Sequence, residues 1–325
     1  MDGDGLWTSQ LQGCKRRLEA FLRGYGHSIG DVVVSVEKDP SVDEEISPDD
    51  LERVADTMAE RFSDGTDGPR SLKLFCVPGP LISMLTRLMT IQSLRHVNLT
   101  AHVGNDIIPC AFEWKCPEVG PQPVAPNLEE FSYVSFAPLA TTHLEDIGTL
   151  SQVLCGCPKL QRLRWVDATR TLADELNPTF WKTLQHLALA SFSDNFGRLL
   201  LKRGAPELRS IVCLADRISD ATRLFLGCLR EEARCSEKFP NLELLWGLGP
   251  LRGVDGFSLQ LPWPEGLQRL TIVGDYDQSG EDAPFRGNVK IINWDEAEAE
   301  TIKRRLKAEW HYDPFLSARE AAMVQ

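Results

Sequence analysis

Apolar residues recur along this chain as a spaced triplet, Leu-x-x-Leu-x-Leu in loosened form. The clearest copies are Leu94-Val97-Leu99, Leu128-Phe131-Tyr133, Leu160-Leu163-Trp165, Leu184-Leu187-Leu189, Leu208-Ile211-Cys213, Leu242-Leu245 and Leu267-Leu270-Ile272. Weaker copies extend the series at Ile29-Val32-Val34, Leu72-Phe75-Val77 and Val289-Ile292-Trp294. From Leu72 onward the starts lie 22, 34, 32, 24, 24, 34, 25 and 22 residues apart. A recurrence of this size predicts stacked supersecondary units. Side chains alternate along a strand, so the second and third anchors, two residues apart, point to one side. Parallel strands need crossovers, and the segments between triplets supply them. Each unit buries its edges only against its neighbours, and such a stack makes a binding surface more often than a reaction centre.

Between the triplets the apolar spacing changes to helical. Leu11, Cys14, Leu18, Phe21 and Leu22 form one such stripe, with Gly24 as a stop. Ser47 is placed to cap a helix with Pro48 in its first turn, and Leu51, Val54, Ala55, Met58, Ala59 and Phe62 form its buried stripe. Further helices are expected over 81–89, 144–154, 221–229 and 296–310, the last with Ile302, Leu306 and Trp310 on one side. Three segments break the rhythm: 109–126, 247–264 and 274–284, rich in proline, glycine or acids, read as loops. The expected fold class is α/β: one leucine-rich-repeat solenoid over 1–325, with a parallel concave sheet and outer helices. Residues 1–70 would form an N-terminal cap and first irregular unit, 71–294 the repeats, and 295–325 a capping helix and tail.

Composition narrows the function. A 325-residue chain with 42% apolar and 25% charged residues is ordinary for a soluble globular protein. The net charge of −12 and the lack of a basic stripe argue against nucleic acid, which needs cations to displace counterions. No run of about 20 uninterrupted apolar residues occurs, so no membrane partner is expected. The nine cysteines are odd in number, irregular in spacing and often set in apolar patterns. They read as reduced, buried thiols in a cytoplasmic or nuclear protein.

Four triplets share an opening: Pro126-Asn127-Leu128, Cys157-Pro158-Lys159-Leu160, Ala205-Pro206-Glu207-Leu208 and Phe239-Pro240-Asn241-Leu242. Over roughly residues 70 to 295 this resembles the Cys-Pro-x-Leu opening of repeats in F-box-type leucine-rich-repeat proteins, especially irregular fungal members. The resemblance implies a curved solenoid serving as a substrate receptor or adaptor in ubiquitin ligation. The Leu-Pro-x-Glu-like opening of an F-box itself is not found; Ser47-Pro48-Asp49-Asp50-Leu51 reads only as a capped helix start.

Motifs for chemistry are sparse. Asp275-Tyr276-Asp277-Gln278-Ser279-Gly280 resembles the start of a calcium loop, but its twelfth position is Arg286 rather than a bidentate acid. Gly24-Tyr25-Gly26-His27-Ser28-Ile29-Gly30 precedes a strand, which is the wrong context for a phosphate loop. No His-x-x-x-His, Walker or nucleophile-elbow motif occurs, so the expectation is no cofactor, no metal and no enzyme. The sharper candidate is the face carrying the residues that alternate with the anchors. Arg162, Arg164 and Trp246 are the preferred contacts for a protein partner, with His96, His186, Leu244 and Arg269 next. His96 and His186 occupy the same place in their triplets. The expected work is non-catalytic protein recognition. A leucine-rich-repeat regulator of a GTPase or other signalling protein is the alternative, followed by an α/β hydrolase, for which a nucleophile–base pair is missing.

Overall fold

A computed structural model describes residues 30–35, 48–62, 68–76, 87–101, 125–135, 154, 156–167, 179–189, 200–214, 237–248, 269–274 and 289–316. Ten strands form one sheet in chain order. They are β1 (Asp31–Ser35), β2 (Ser71–Cys76), β3 (His96–Ala101), β4 (Glu130–Ser135), β5 (Arg162–Asp167), β6 (His186–Leu189), β7 (Ser210–Cys213), β8 (Leu244–Leu248), β9 (Thr271–Gly274) and β10 (Lys290–Asn293). Every neighbouring pair is parallel. At ~4.8 Å per strand spacing the sheet spans about 43 Å. Helix α1 (Pro48–Phe62) connects β1 to β2, and α2 (Ala297–Glu309) follows β10.

The turn into each strand explains the recurrent opening. Leu128, Leu160, Leu208 and Leu242 each donate a backbone N–H to the carbonyl three residues earlier, at 3.1–3.3 Å. The residue supplying that carbonyl, Ala125, Cys157, Ala205 or Phe239, is fully buried. Proline follows it as Pro126, Pro158, Pro206 or Pro240, the position where a fixed φ suits such a turn. Leu94 makes the same turn from Ile91 without a proline. Side chains stitch successive turns together: Asn127 Nδ2 donates to the Gln92 carbonyl at 3.0 Å, Lys159 Nζ to Asn127 Oδ1 at 2.8 Å, and Asn241 Nδ2 to the Pro206 carbonyl at 2.8 Å. A second ladder links the residue after each turn. Arg95, Glu129, Gln161, Gln185, Arg209 and Glu243 each donate an N–H to the carbonyl of the preceding member, starting from Arg70, at 2.7–2.9 Å.

The back face of the sheet carries the anchors. Val97, Phe131, Leu163, Leu187, Ile211, Leu245 and Ile272 stand in one row across β3–β9 and are buried. Ile29-Val32-Val34 keeps its expected register, because Val32 pairs with Leu72 in that row. Three other copies shift. Leu72 and Leu74, not Phe75 and Val77, take the second and third anchor positions of β2. In β9 the second anchor is Ile272 rather than Leu270, a slip of two that preserves the face. In β10 it is Ile291, not Ile292. That slip of one moves Ile292 to the opposite face, as the two-residue period demands. Trp294, expected as an anchor, lies beyond β10 and is exposed.

Helix α1 holds the expected stripe, with Ala55, Met58 and Phe62 buried. Arg87 bonds its Asp56 across to the turn before β3. Strand β8 bends at a bulge between Trp246 and Leu248. Gly247 there has φ +80°, and a Cβ would sit 1.6 Å from the Cys213 carbonyl oxygen. Only glycine fits that approach. Cys213 is buried, as its apolar setting implied, and Cys157 is buried too. The proposed helix over 11–22, the glycine-rich turn before Gly30, most of the helices over 81–89, 144–154 and 221–229, and most of the loops 109–126, 247–264 and 274–284, including the calcium-like run, lie outside the described residues.

Candidate recognition face

The front face bears the residues that alternate with the anchors, and its two halves differ chemically. Over β2–β5 two register rows are polar, with Ser71 and Lys73, His96 and Asn98, Glu130 and Ser132, and Arg162 and Arg164, while the next row carries the buried Val134 and Val166. Over β6–β10 it is mainly apolar, with Ala188, Val212, Leu244, Trp246, Val273 and Ile292, beside the polar His186, Ser210 and Thr271.

The apolar half is covered by α2. Ala299, Leu306 and Trp310 pack into one cluster with Ala188, Val212, Leu244, Val273 and Ile292, and Ile302, Trp246 and Phe315 border it. The spacing of Ala299, Ile302, Leu306 and Trp310 keeps them on one side of a 3.6-residue helix. Each large side chain so covered contributes about 1.5–3 kcal/mol. The helix expected as an end cap therefore lies across the sheet.

Residues 310–316 continue over the polar half. The His311 and Tyr312 backbone N–H groups each donate at 2.8 Å to one oxygen of Glu130. The Tyr312 hydroxyl lies 2.9 Å from Ser71 Oγ, and Lys73 Nζ stands 5.6 Å from the Tyr312 ring centre. The His311 ring stacks on His96, with centres 4.2 Å apart. The Arg164 guanidinium donates to the Leu316 carbonyl. Phe315 meets Trp246 edge-on at 4.9 Å.

Burial shapes the electrostatics. Glu130 is completely buried. Desolvation raises its pKa, against the two backbone N–H groups and the nearby Arg162 and Arg164. Desolvation lowers Arg164 to about 10, while Asp313 and Glu130 oppose the shift. His186 is lowered to about 4 by burial and by Arg162, Arg209 and Arg305. Glu309 is 3.6 Å from its Nε2 but is 39% exposed, so water screens it and the burial and cations prevail. His186 Nδ1 is held 2.9 Å from Ser210 Oγ. His96 is also lowered to about 4, by desolvation first and then by His311.

The sequence-chosen contacts thus divide. Arg164, His186 and Leu244 are buried at 2%, 5% and 2% exposure and face the chain's own C-terminal elements, so in this arrangement they do not meet an outside partner. His96, Arg162 and Trp246 are half-buried, and Phe315 packs edge-on against Trp246. Arg269 is exposed and precedes β9, apart from the others. Glu130 was not singled out, although it organises the polar half. Its signal was an acid placed in a strand between apolar anchors. Among the described residues no group of three or more His, Cys, Asp or Glu could hold a metal ion, and no helix is long and apolar enough to cross a membrane.

No protein-family model and no curated protein matches this chain. Among solved structures, it is similar to a Bacteroides fragilis protein from the Northeast Structural Genomics Consortium. The two share 11% identity and a TM-score of 0.35 over 72% of this chain and 68% of the other. A likeness that distant carries no argument about fold or function. What stands is the architecture itself: an α/β chain with ten parallel strands in sequential order, compatible with a repeat-like stack.

Proposed function

We propose that this chain is a leucine-rich-repeat solenoid whose front face is a non-catalytic protein-recognition surface. The observation that carries the reading is the chain's own 310–316 segment, held by a carboxylate on two successive backbone amides and by aromatic contacts. A sheet face that grips polypeptide backbone in this way has the chemistry to grip a partner's. The repeated turns and the single sheet support a stack that presents a long, continuous surface.

The test is affinity capture with the full chain, comparing wild type with Arg162→Glu plus Trp246→Ala. Partner recovery should fall in the double variant; equal recovery from both would reject this face as the recognition surface. The ubiquitin-ligase version, which the opening motif implies, makes a further demand. A ligase adaptor should appear among the captured proteins and rebind the purified chain; without it, general protein recognition is the reading that stands.

A further inference from the structure

The 310–316 segment fits the front face unevenly. Trp310 belongs to the apolar cluster with α2, and Tyr312 is buried over β2 and β4. His311 is exposed, and Asp313, Phe315 and Leu316 are only half-buried. On β3–β5, Asn98 Oδ1, Thr100 Oγ1, Ser132 Oγ and the Nε atoms of Arg162 and Arg164 are buried with no hydrogen-bond partner among the described residues. Asn98, Ser132 and Arg164 form one register row. Ser132 and Thr100 are at least 98% buried, at 0% and 2% exposure, and Arg164 matches them at 2%. A buried polar group left without a partner keeps the cost of its lost hydration. The segment's own carboxylate, Asp313, is engaged by Lys307 Nζ at 2.5 Å. The segment therefore satisfies Glu130 and takes one guanidinium N–H of Arg164 at the Leu316 carbonyl, but among the described residues the Nε groups of Arg162 and Arg164 and the neighbouring hydroxyls are left unmet.

The contrast with α2 is physical. The helix is held by apolar area and stays. The segment beyond Trp310 combines the two backbone bonds to Glu130 with smaller apolar contacts, Phe315 on Trp246 and Leu316 on Val134 and Val166. It lies over an incompletely satisfied surface, and a better-matched occupant gains by replacing it. Resting on the recognition reading above, we propose that residues 311–316 are a displaceable intramolecular occupant of a peptide site. The partner is then an extended polypeptide segment that gives two backbone amides to Glu130 and sets an aromatic ring where Tyr312 lies. It carries a carboxylate side chain for the free Nε groups of Arg162 and Arg164.

The probe is a fluorescent peptide with the sequence of residues 308–316, titrated by anisotropy against the full chain and against its Tyr312→Ala plus Phe315→Ala variant. Releasing the internal occupant raises the fraction of open site, so the variant should bind roughly tenfold more tightly than wild type or better. Adding Glu130→Gln to that variant should weaken binding by a similar factor. A second peptide carrying Leu316→Glu should bind the loosened variant more tightly than the parent peptide. Failure of the loosened, folded variant to bind either peptide overturns the proposal, and equal affinity for both peptides overturns its carboxylate element. If the variants do not fold, hydrogen exchange of wild type decides. Exchange of the 311 and 312 amides by local opening supports displacement; exchange only through global unfolding overturns it. Partner capture that depends on Arg162 and Trp246, together with failure of the peptides, would sink this inference and leave the recognition face standing.

Discussion

Acid should loosen this fold through His186, and the size of the effect follows from its setting. The ring is 5% exposed, surrounded by Arg162, Arg209 and Arg305, and held near 4 against 6.5 for a free imidazole. A folded pKa below the unfolded value means that the unfolded chain binds more protons between about 4 and 6.5. The contribution is then fully present above pH 6.5 and is lost as pH falls toward 4. Linkage with these two values gives a loss of about 2 kcal/mol between pH 7 and 5 from this side chain alone. His96 has the same sign. Glu130 has the opposite one, because its raised pKa makes the folded state the better proton binder above the ordinary carboxylate value. His311, lowered by burial, shares the sign of His96, so the wild-type curve mixes four groups and the test must isolate one. Urea unfolding at pH 7, 6 and 5 should be run on wild type and His186→Gln. The variant should start less stable at pH 7, having lost the bond to Ser210 Oγ, and should lack about 2 kcal/mol of the acid-induced fall. Parallel pH curves for the two proteins would refute the reasoning.

Two further outcomes test the sheet itself. Gly247→Ala should cost about 3 kcal/mol or more, since it combines a left-handed backbone with a Cβ driven into the Cys213 carbonyl; Gly30→Ala, with nothing within 4 Å, should stay within about 0.5 kcal/mol of wild type, and thermal unfolding of the pair would expose any error. Leu160→Ala, at a fully buried turn anchor, should cost about 2–5 kcal/mol in urea unfolding, and a cost under about 1 kcal/mol would show that the turn anchors do not carry the stack.

Much of the sheet was written in local sequence. The period-two anchors of β3–β8 fixed which side chains face back, because a strand offers only two faces. The proline openings marked the turns, because proline suits one position of that turn. Register was less secure where the apolar run was longer than the strand. Val289, Ile291 and Ile292 all look like anchors, and only pairing with β9 decided that Ile292 faces front. In β2, Leu72 and Leu74 took the anchor row instead of Phe75 for the same reason.

The front face shows the limit of that local reading. Arg164, His186, Leu244 and Trp246 were correctly placed on one side of the sheet by alternation alone. What covers them could not be read that way, because Glu130 and Tyr312 lie 182 positions apart. The amphipathic stripe of α2 and the apolar positions Val212, Leu244 and Val273 each announced a surface needing burial. Neither names its mate, since hydrophobic attraction is non-directional and many pairings would satisfy it. The chain's local spacing set the strands, the turns and the two faces. Folding in three dimensions chose to lay the last helix and the segment after it across the front, because that one arrangement buries both apolar surfaces together and gives Glu130 its two backbone donors.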